Sequence, residues 1–376
     1  PFLDYYCTKK GPFMYRIEQE TLNKWFHKKK GRKPLLIRGA RQVGKSTLVR
    51  QFCESNKLNL YEINLEKYPQ LNEVFKTHNV DKVIEAIEDV LNLKINKTPK
   101  AVLFLDEIQA TPDAIPCLRY FYEELPSLSV VGAGSLLEFV LNEHSYSMPV
   151  GRIDFLHLGP MNFHEFLLAK KETYFYEKIR NIQFYPIPEF SEDFHQQGLR
   201  LLREFMFVGG LPEAIMTLIE EGVDAVSQIH SQILQSYQAD FVKYTKKNHL
   251  EKIQKVFRYS FLNPCEKIKF SNISKEDLSR DLKSNLQLLT QGKVVTKVKH
   301  SKCSGVPLEI TEDEDVYKLL ALDVGLMNQM QGVTWKSFKK MEEMELLTEG
   351  VIAEQFVGQH LLYRNPSYLE PYLHYW

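Results

Sequence analysis

Gly39-Ala40-Arg41-Gln42-Val43-Gly44-Lys45-Ser46 fits the pattern G-x-x-x-x-G-K-[ST]. An apolar run, Leu35-Leu36-Ile37, precedes it, and Thr47-Leu48-Val49-Arg50-Gln51-Phe52-Cys53 follows with apolar residues at helical spacing. Strand, glycine loop, helix is the order that a phosphate cradle requires. Gly39 and Gly44 let the loop fold back with its backbone N–H groups turned inward. The helix that opens near Lys45 adds the positive end of its dipole. Gly39, Ala40, Arg41, Gln42, Val43, Gly44, Lys45, Ser46 and Thr47 are therefore the expected ATP-binding residues. Lys45 is the point charge for the β- and γ-phosphates, and the Ser46 hydroxyl is a ligand for Mg²⁺.

Outward from the loop, strands and helices alternate. Leu60–Leu65 reads as a second strand, and residues 80–93 read as a helix with Val80, Val83, Ile84, Ile87, Val90 and Leu91 on one face and Asn79 as its cap. Ala101–Leu105 is a continuous apolar run closed by Asp106-Glu107, as in a central strand buried on both faces. Thr111-Pro112 reads as the start of a helix through Glu124, and Leu128–Gly134 as another strand, with Ser135 just beyond its end. The alternation predicts a doubly wound α/β domain with ligand at the carboxyl ends of its strands, where the loop, Asp106, Glu107 and Ser135 all fall. Asp106 is the expected second anchor for Mg²⁺. Glu107 beside it is the expected base that polarises a water for attack on the γ-phosphate. Ser135 either reports on the γ-phosphate or merely follows a tight turn. Arg152, after Gly151, is either an arginine finger acting in its own or a neighbouring subunit, or a structural ion pair.

The composition bounds the rest. The 376 residues suggest two or three domains, and equal numbers of basic and acidic residues, 48 each, leave net charge silent about partners. Five scattered cysteines without a C-x-x-C pair favour a reducing compartment, and no apolar run reaches membrane-spanning length. A cytoplasmic location follows as an expectation. No histidine spacing suggests a metal site. The basic stretch Lys28-Lys29-Lys30-Gly31-Arg32-Lys33 reads as a solvated turn after an N-terminal helix.

Beyond residue 160 the texture changes. The expected division is an ATPase domain over 1–160, a helical domain over 161–265, a winged-helix-like module over 266–312 and the start of a C-terminal domain over 313–376. In the module, Ser274 caps a helix carrying Leu278, Leu282, Leu286 and Leu289. Lys293–Lys299 and Val306–Ile310 are its two strands. Lys293, Lys297, Lys299, His300 and Lys302 then lie on a ribbon, either as duplex-DNA phosphate contacts or as charges that keep a free edge soluble. Residues 315–330 read as a strand or helix edge ending in a loop, and 342–363 as a long amphipathic helix.

Seven blocks taken in order resemble a family of prokaryotic AAA+ ATPases whose ATPase domain precedes a domain of uncharacterised function. They are GARQVGKSTL, LFLDEIQ with VVGAGSLL, PVGRIDFLHLGPMNFHEFL, GGLPEAI (Gly209–Ile215), YQADFVKY (Tyr237–Tyr244), LLALDVGLMNQM (Leu319–Met330) and EGVIAEQFVGQHLL (Glu349–Leu362). The resemblance implies the nucleotide roles above for Lys45, Ser46, Asp106 and Glu107, and a possible homo-oligomer. It also implies a C-terminal end similar to PD-(D/E)xK nucleases, in which Glu354 matches the helix glutamate. The sequence given stops at Tyr375-Trp376, before the other ligands, and one carboxylate cannot hold a catalytic Mg²⁺.

Overall fold

A strand with no polar member, such as Ala101–Leu105, is stable only when both its faces are covered. In the computed structural model β3 (Ala101–Asp106) is buried along its whole length. The structure describes residues 14–28, 30–135, 137, 148–149, 151–182, 185, 189–244, 247–305, 307–341 and 350–376. With β1 (Leu35–Arg38), β2 (Asn59–Asn64), β4 (Ser129–Gly134) and β5 (Asp154–His157), β3 forms one sheet in the order β2-β3-β4-β1-β5. Every pairing in it is parallel. β5 has no signature in the sequence. It is a four-residue edge strand with only Leu156 and His157 buried, too short to show a period before it pairs with β1.

Successive residues of a strand point to opposite faces. Leu35, Ile37, Val102, Phe104, Val131 and Ala133 accordingly enter one hydrophobic cluster. Leu36, Ala101, Leu103, Leu105 and Val130 enter another. The second is closed by α3 (Leu71–Phe75), α4 (Val80–Leu91) and α5 (Ala114–Glu124). Asn79 caps α4 as its position suggests, accepting the Lys82 N–H at 3.0 Å, a contact worth about 1 kcal/mol. Thr111 does not cap α5. The chain leaves β3 through a tight turn at Ile108–Ala110, and the helix starts only at Ala114.

The first cluster is covered by α1 (Glu18–Phe26) and α2 (Lys45–Ser55) and continues into the helices that follow: α6 (Phe163–Ala169), α7 (Thr173–Arg180), α8 (Glu192–Val208), α9 (Pro212–Glu220), α10 (Val223–Tyr244) and α11 (Lys247–Leu262). Phe166, Phe205, Ile215 and Phe257 share one core with Ile37 and Phe104. The change of texture near residue 160 is therefore a change of secondary structure on an unbroken core. The basic turn before β1 is anchored, with Lys28 and Lys33 reaching Asp154 at 3.9 and 4.0 Å.

The expected module needs correction. After α12 (Phe270–Ile273), α13 runs Ser279–Gln291. Ser274 closes the preceding turn by accepting the Asp277 N–H at 3.2 Å rather than capping this helix. β6 (Val295–Ser301) pairs antiparallel with β7 (Glu312–Ala321), so the second strand lies beyond residues 306–310. Leu308–Thr311 form a 3-10 turn there, after a proline that has no N–H to give a ladder. β6 also pairs in parallel with β8 (His374–Tyr375), which makes it the central strand of three rather than one arm of a free wing. The boundary expected between 312 and 313 falls at the start of β7, inside this sheet. Instead of a loop, α14 (Val324–Met330) follows, then α15 (Trp335–Phe338) and α16 (Gly350–Leu362). Residues 342–349 of the expected long helix lie outside the described residues.

Candidate functional site

The parallel register decides what meets the glycine loop. Gly134 lies opposite Arg38, so Ser135 emerges beside Gly39. Because β4 is inserted between β1 and β3, Ser135 stands between the loop and Asp106. Gly44 carries the left-handed φ of 92° that turns the loop into α2. Lys45 is only 8% exposed, and its Nζ donates to the carbonyls of Gly39 at 3.0 Å and Ala40 at 2.8 Å. Other elements hold two further loop carbonyls. The Tyr237 hydroxyl donates to the Arg41 carbonyl and Arg16 Nη1 to that of Val43, each at 2.7 Å. Beside the loop lies a cavity of about 560 Å³ lined by Arg41, Lys45, Ser46, Glu107, Pro212 and Met216, among others.

The Ser46 hydroxyl donates to Asp106 Oδ2 at 2.8 Å. Asp106 is buried, and that burial raises its carboxyl above the usual range, with the neighbouring charge of Glu107 adding to the rise. Glu107 leaves the strand with φ 51°, and its carboxylate accepts Gln109 Nε2 at 2.5 Å. Burial pulls the Lys45 ammonium down to about 8 against the opposing pull of Glu107 and Asp106.

Several contributors were invisible as contacts in the sequence. Arg16, 4% exposed, ties the loop to Gly159 at 2.8 Å and to Glu165 at 3.0 Å. The GGLPEAI block places Pro212 over the loop. It is fastened by Asp323 of the LLALDVG block, which accepts the Gly210 N–H at 2.6 Å, the Gly325 N–H at 2.9 Å and Gln359 Nε2 at 3.2 Å. Asp323 is fully buried, which raises its carboxyl to about 6 despite these bonds. The YQADFVKY block supplies Tyr237 and also Asp240, which pairs with the Arg41 guanidinium. The family blocks contain Pro212, Tyr237, Asp240 and Asp323, but each reaches a partner more than a hundred positions away, and Arg16 lies in no block.

Two expected residues lie elsewhere. Arg152 precedes β5, whose Asp154 lies opposite Leu35 at the start of β1, so it sits at the edge of the sheet away from the loop. Its Nε binds Glu123 at 2.9 Å, the contact that the ion-pair reading expects. Glu354 pairs with Lys318 at 2.6 Å. On the ribbon, Lys299 pairs with Glu312, Lys293 with Glu370 at 2.6 Å, and Lys297 lies 4.9 Å over the Tyr317 ring.

The parallel sheet and the glycine loop at its carboxyl edge define a P-loop ATPase. Residues 31–167 match a family model described as an AAA domain, and residues 199–337 match a domain of unknown function. The chain is thus a P-loop AAA+ ATPase in which a domain of unknown function follows the ATPase domain. A comparison with curated proteins finds no match. Among solved structures, the Walker-type ATPase PABY2304 of Pyrococcus abyssi is similar at 14% identity, with 86% of this chain and 99% of that one covered and a TM-score of 0.53. The ORC2 protein of Aeropyrum pernix, in its ADPNP–ADP complexes, aligns at 13% identity over 89% of this chain and 97% of its own, with a TM-score of 0.43. The RuvB Holliday junction branch migration motor of Thermotoga maritima aligns at 14% identity over 76% and 91%, with a TM-score of 0.36. The first likeness supports the fold, and the other two are too remote to argue from. Among the described residues no helix is long and apolar enough to cross a membrane.

Proposed function

We propose that the chain binds ATP with Mg²⁺ across residues 39–47, hydrolyses it, and uses the nucleotide state to shift the helical and C-terminal region. The observation that carries this reading is the convergence of Lys45, Ser46 and Glu107 on one cavity, with Asp106 hydrogen-bonded to Ser46 beside it. The loop N–H groups and Lys45 bind the phosphates, and the α2 dipole adds to their pull. The Ser46 hydroxyl and the Asp106 carboxylate are hard oxygen donors 2.8 Å apart, a set that fits Mg²⁺. Bound there, the ion would supply charge neutralisation at the phosphates. Glu107, oriented by Gln109, polarises the attacking water, and Ser135, just past the end of β4, is the nearby hydroxyl to report on the γ-phosphate. Pro212 and Met216 line the same cavity, and Asp323 joins their turn to α14 and α16, so a change at the phosphates reaches that region.

Steady-state phosphate release with Mg²⁺, with EDTA, and with or without duplex DNA tests the reading. Wild-type protein that releases no phosphate above background overturns it. Arg152→Ala is expected to leave the rate within about twofold of wild type, because an exposed ion pair contributes little. A fall of about tenfold, restored in mixtures with Glu107→Gln protein, would assign Arg152 to a neighbouring subunit's site.

The paired charges on the ribbon weigh against duplex recognition. Glu312-Asp313-Glu314-Asp315 open β7 next to the lysines, so the local charge is balanced. Replacing Lys297, Lys299 and Lys302 together by Ala is expected to leave DNA affinity and its salt dependence unchanged in fluorescence anisotropy. A salt slope that falls by about one unit for each lysine touching a phosphate would restore the DNA reading.

A further inference from the structure

Arg41 occupies a position that the G-x-x-x-x-G-K-[ST] pattern leaves open, yet both its side chain and its carbonyl are held by another part of the molecule. Its guanidinium pairs with Asp240 and its carbonyl accepts the Tyr237 hydroxyl, one helical turn earlier on α10. Asp240 is 7% exposed and Tyr237 is 4% exposed, so both partners are fixed by packing. The Arg41 side chain is 35% exposed and lines the nucleotide cavity together with Lys45 and Glu107. It shares their field: its charge lowers the Lys45 ammonium, and Glu107 raises Arg41 in turn. A guanidinium carries five donors and suits phosphate as well as carboxylate.

We propose that Arg41 is a specificity-determining residue for the triphosphate, held by Asp240 while the site is empty and transferred to the terminal phosphate of ATP. The inference rests on the ATP reading above and adds how the site tells ATP from ADP. Asp240 competes with the terminal phosphate for one cation. ADP lacks that phosphate, so it leaves the pair in place. A ligand shifts such an equilibrium only through its different affinity for the two states, and here the difference is the terminal phosphate. Because Asp240 lies on α10, the transfer releases a loop-to-helix link only when ATP is bound.

Calorimetric titration of the full chain with a non-hydrolysable ATP analogue and with ADP, both with Mg²⁺, tests the proposal. Asp240→Asn removes the competitor and is expected to tighten the analogue about fivefold, the scale of one partly exposed ion pair, while ADP changes less than about twofold. Arg41→Ala is expected to weaken the analogue about tenfold, the scale of a hydrogen bond to a charged group, again with little change for ADP. The double variant should lie close to Arg41→Ala in its preference between the two nucleotides, because without Arg41 the competition for its guanidinium is gone. Equal shifts for both nucleotides in either variant would make the pair a plain brace of the loop and overturn the proposal. Unchanged binding of both would overturn it too. The wild-type titration separates the two failures, since wild-type protein that binds neither nucleotide refutes the ATP site itself. Arg41→Ala removes a half-buried loop side chain and leaves the core intact, so the test stands if Asp240→Asn does not fold.

Discussion

Lys45→Ala is expected to abolish tight ATP binding, with a loss on the order of 10²-fold or more in affinity for a non-hydrolysable analogue. The ammonium is buried at the bottom of the loop and held by the carbonyls of Gly39 and Ala40. Its removal takes away the one lysine of the loop and leaves two loop carbonyls without their donor. The same lysine sets a pH dependence. In the empty site burial brings it to about 8, and phosphate oxygens favour its charged form. Binding therefore takes up a proton above pH 8, and affinity should fall by up to about tenfold per pH unit there while staying flat below it. Calorimetry between pH 7 and 9.5 measures both effects. An unchanged affinity in Lys45→Ala, with an unchanged thermal midpoint, would remove Lys45 from the site.

Glu107→Gln should behave differently. It keeps the side-chain volume and removes the base, so ATP still binds while phosphate release falls on the order of 10²-fold or more. The carboxylate is positioned by Gln109 at 2.5 Å and by a backbone that turns left-handed as it leaves β3. Glu107 also raises the Lys45 ammonium, so the variant should begin to lose ATP affinity at a lower pH than wild type does. Near wild-type turnover would show that another group activates the water. A rate loss without the pH shift would separate the base from its electrostatic effect on Lys45.

The nucleotide site and the following region are physically one body of packing. Phe104 behind the loop and Phe257 of α11 belong to a single hydrophobic cluster. Arg16, Tyr237 and Pro212 reach the loop from three different segments. The phosphate loop is therefore shaped partly by residues outside the ATPase domain, two of which, Tyr237 and Pro212, belong to the domain of unknown function.

Local patterns carried a large share of this structure. The loop, the buried strand before Asp106 and the cap at Asn79 each depend on neighbours within a few residues, where backbone sterics and periodicity act, and these are visible in sequence. The same holds for the pairing of Ser46 with Asp106, because strand ends in a parallel sheet collect at one edge. Tertiary structure alone decided the rest. β5 exists because β1 offers a free edge. Residues 306–310 gave way to 312–321 because β6 could be paired by the longer strand. Arg152, an arginine finger or an ion pair by its sequence alone, lies at the opposite edge of the sheet, since a strand's direction, and not its distance in sequence, chooses the end. Arg16, Asp240 and Asp323 had no local signature because each works through a partner more than eighty positions away, and only folding brings such partners within hydrogen-bonding reach.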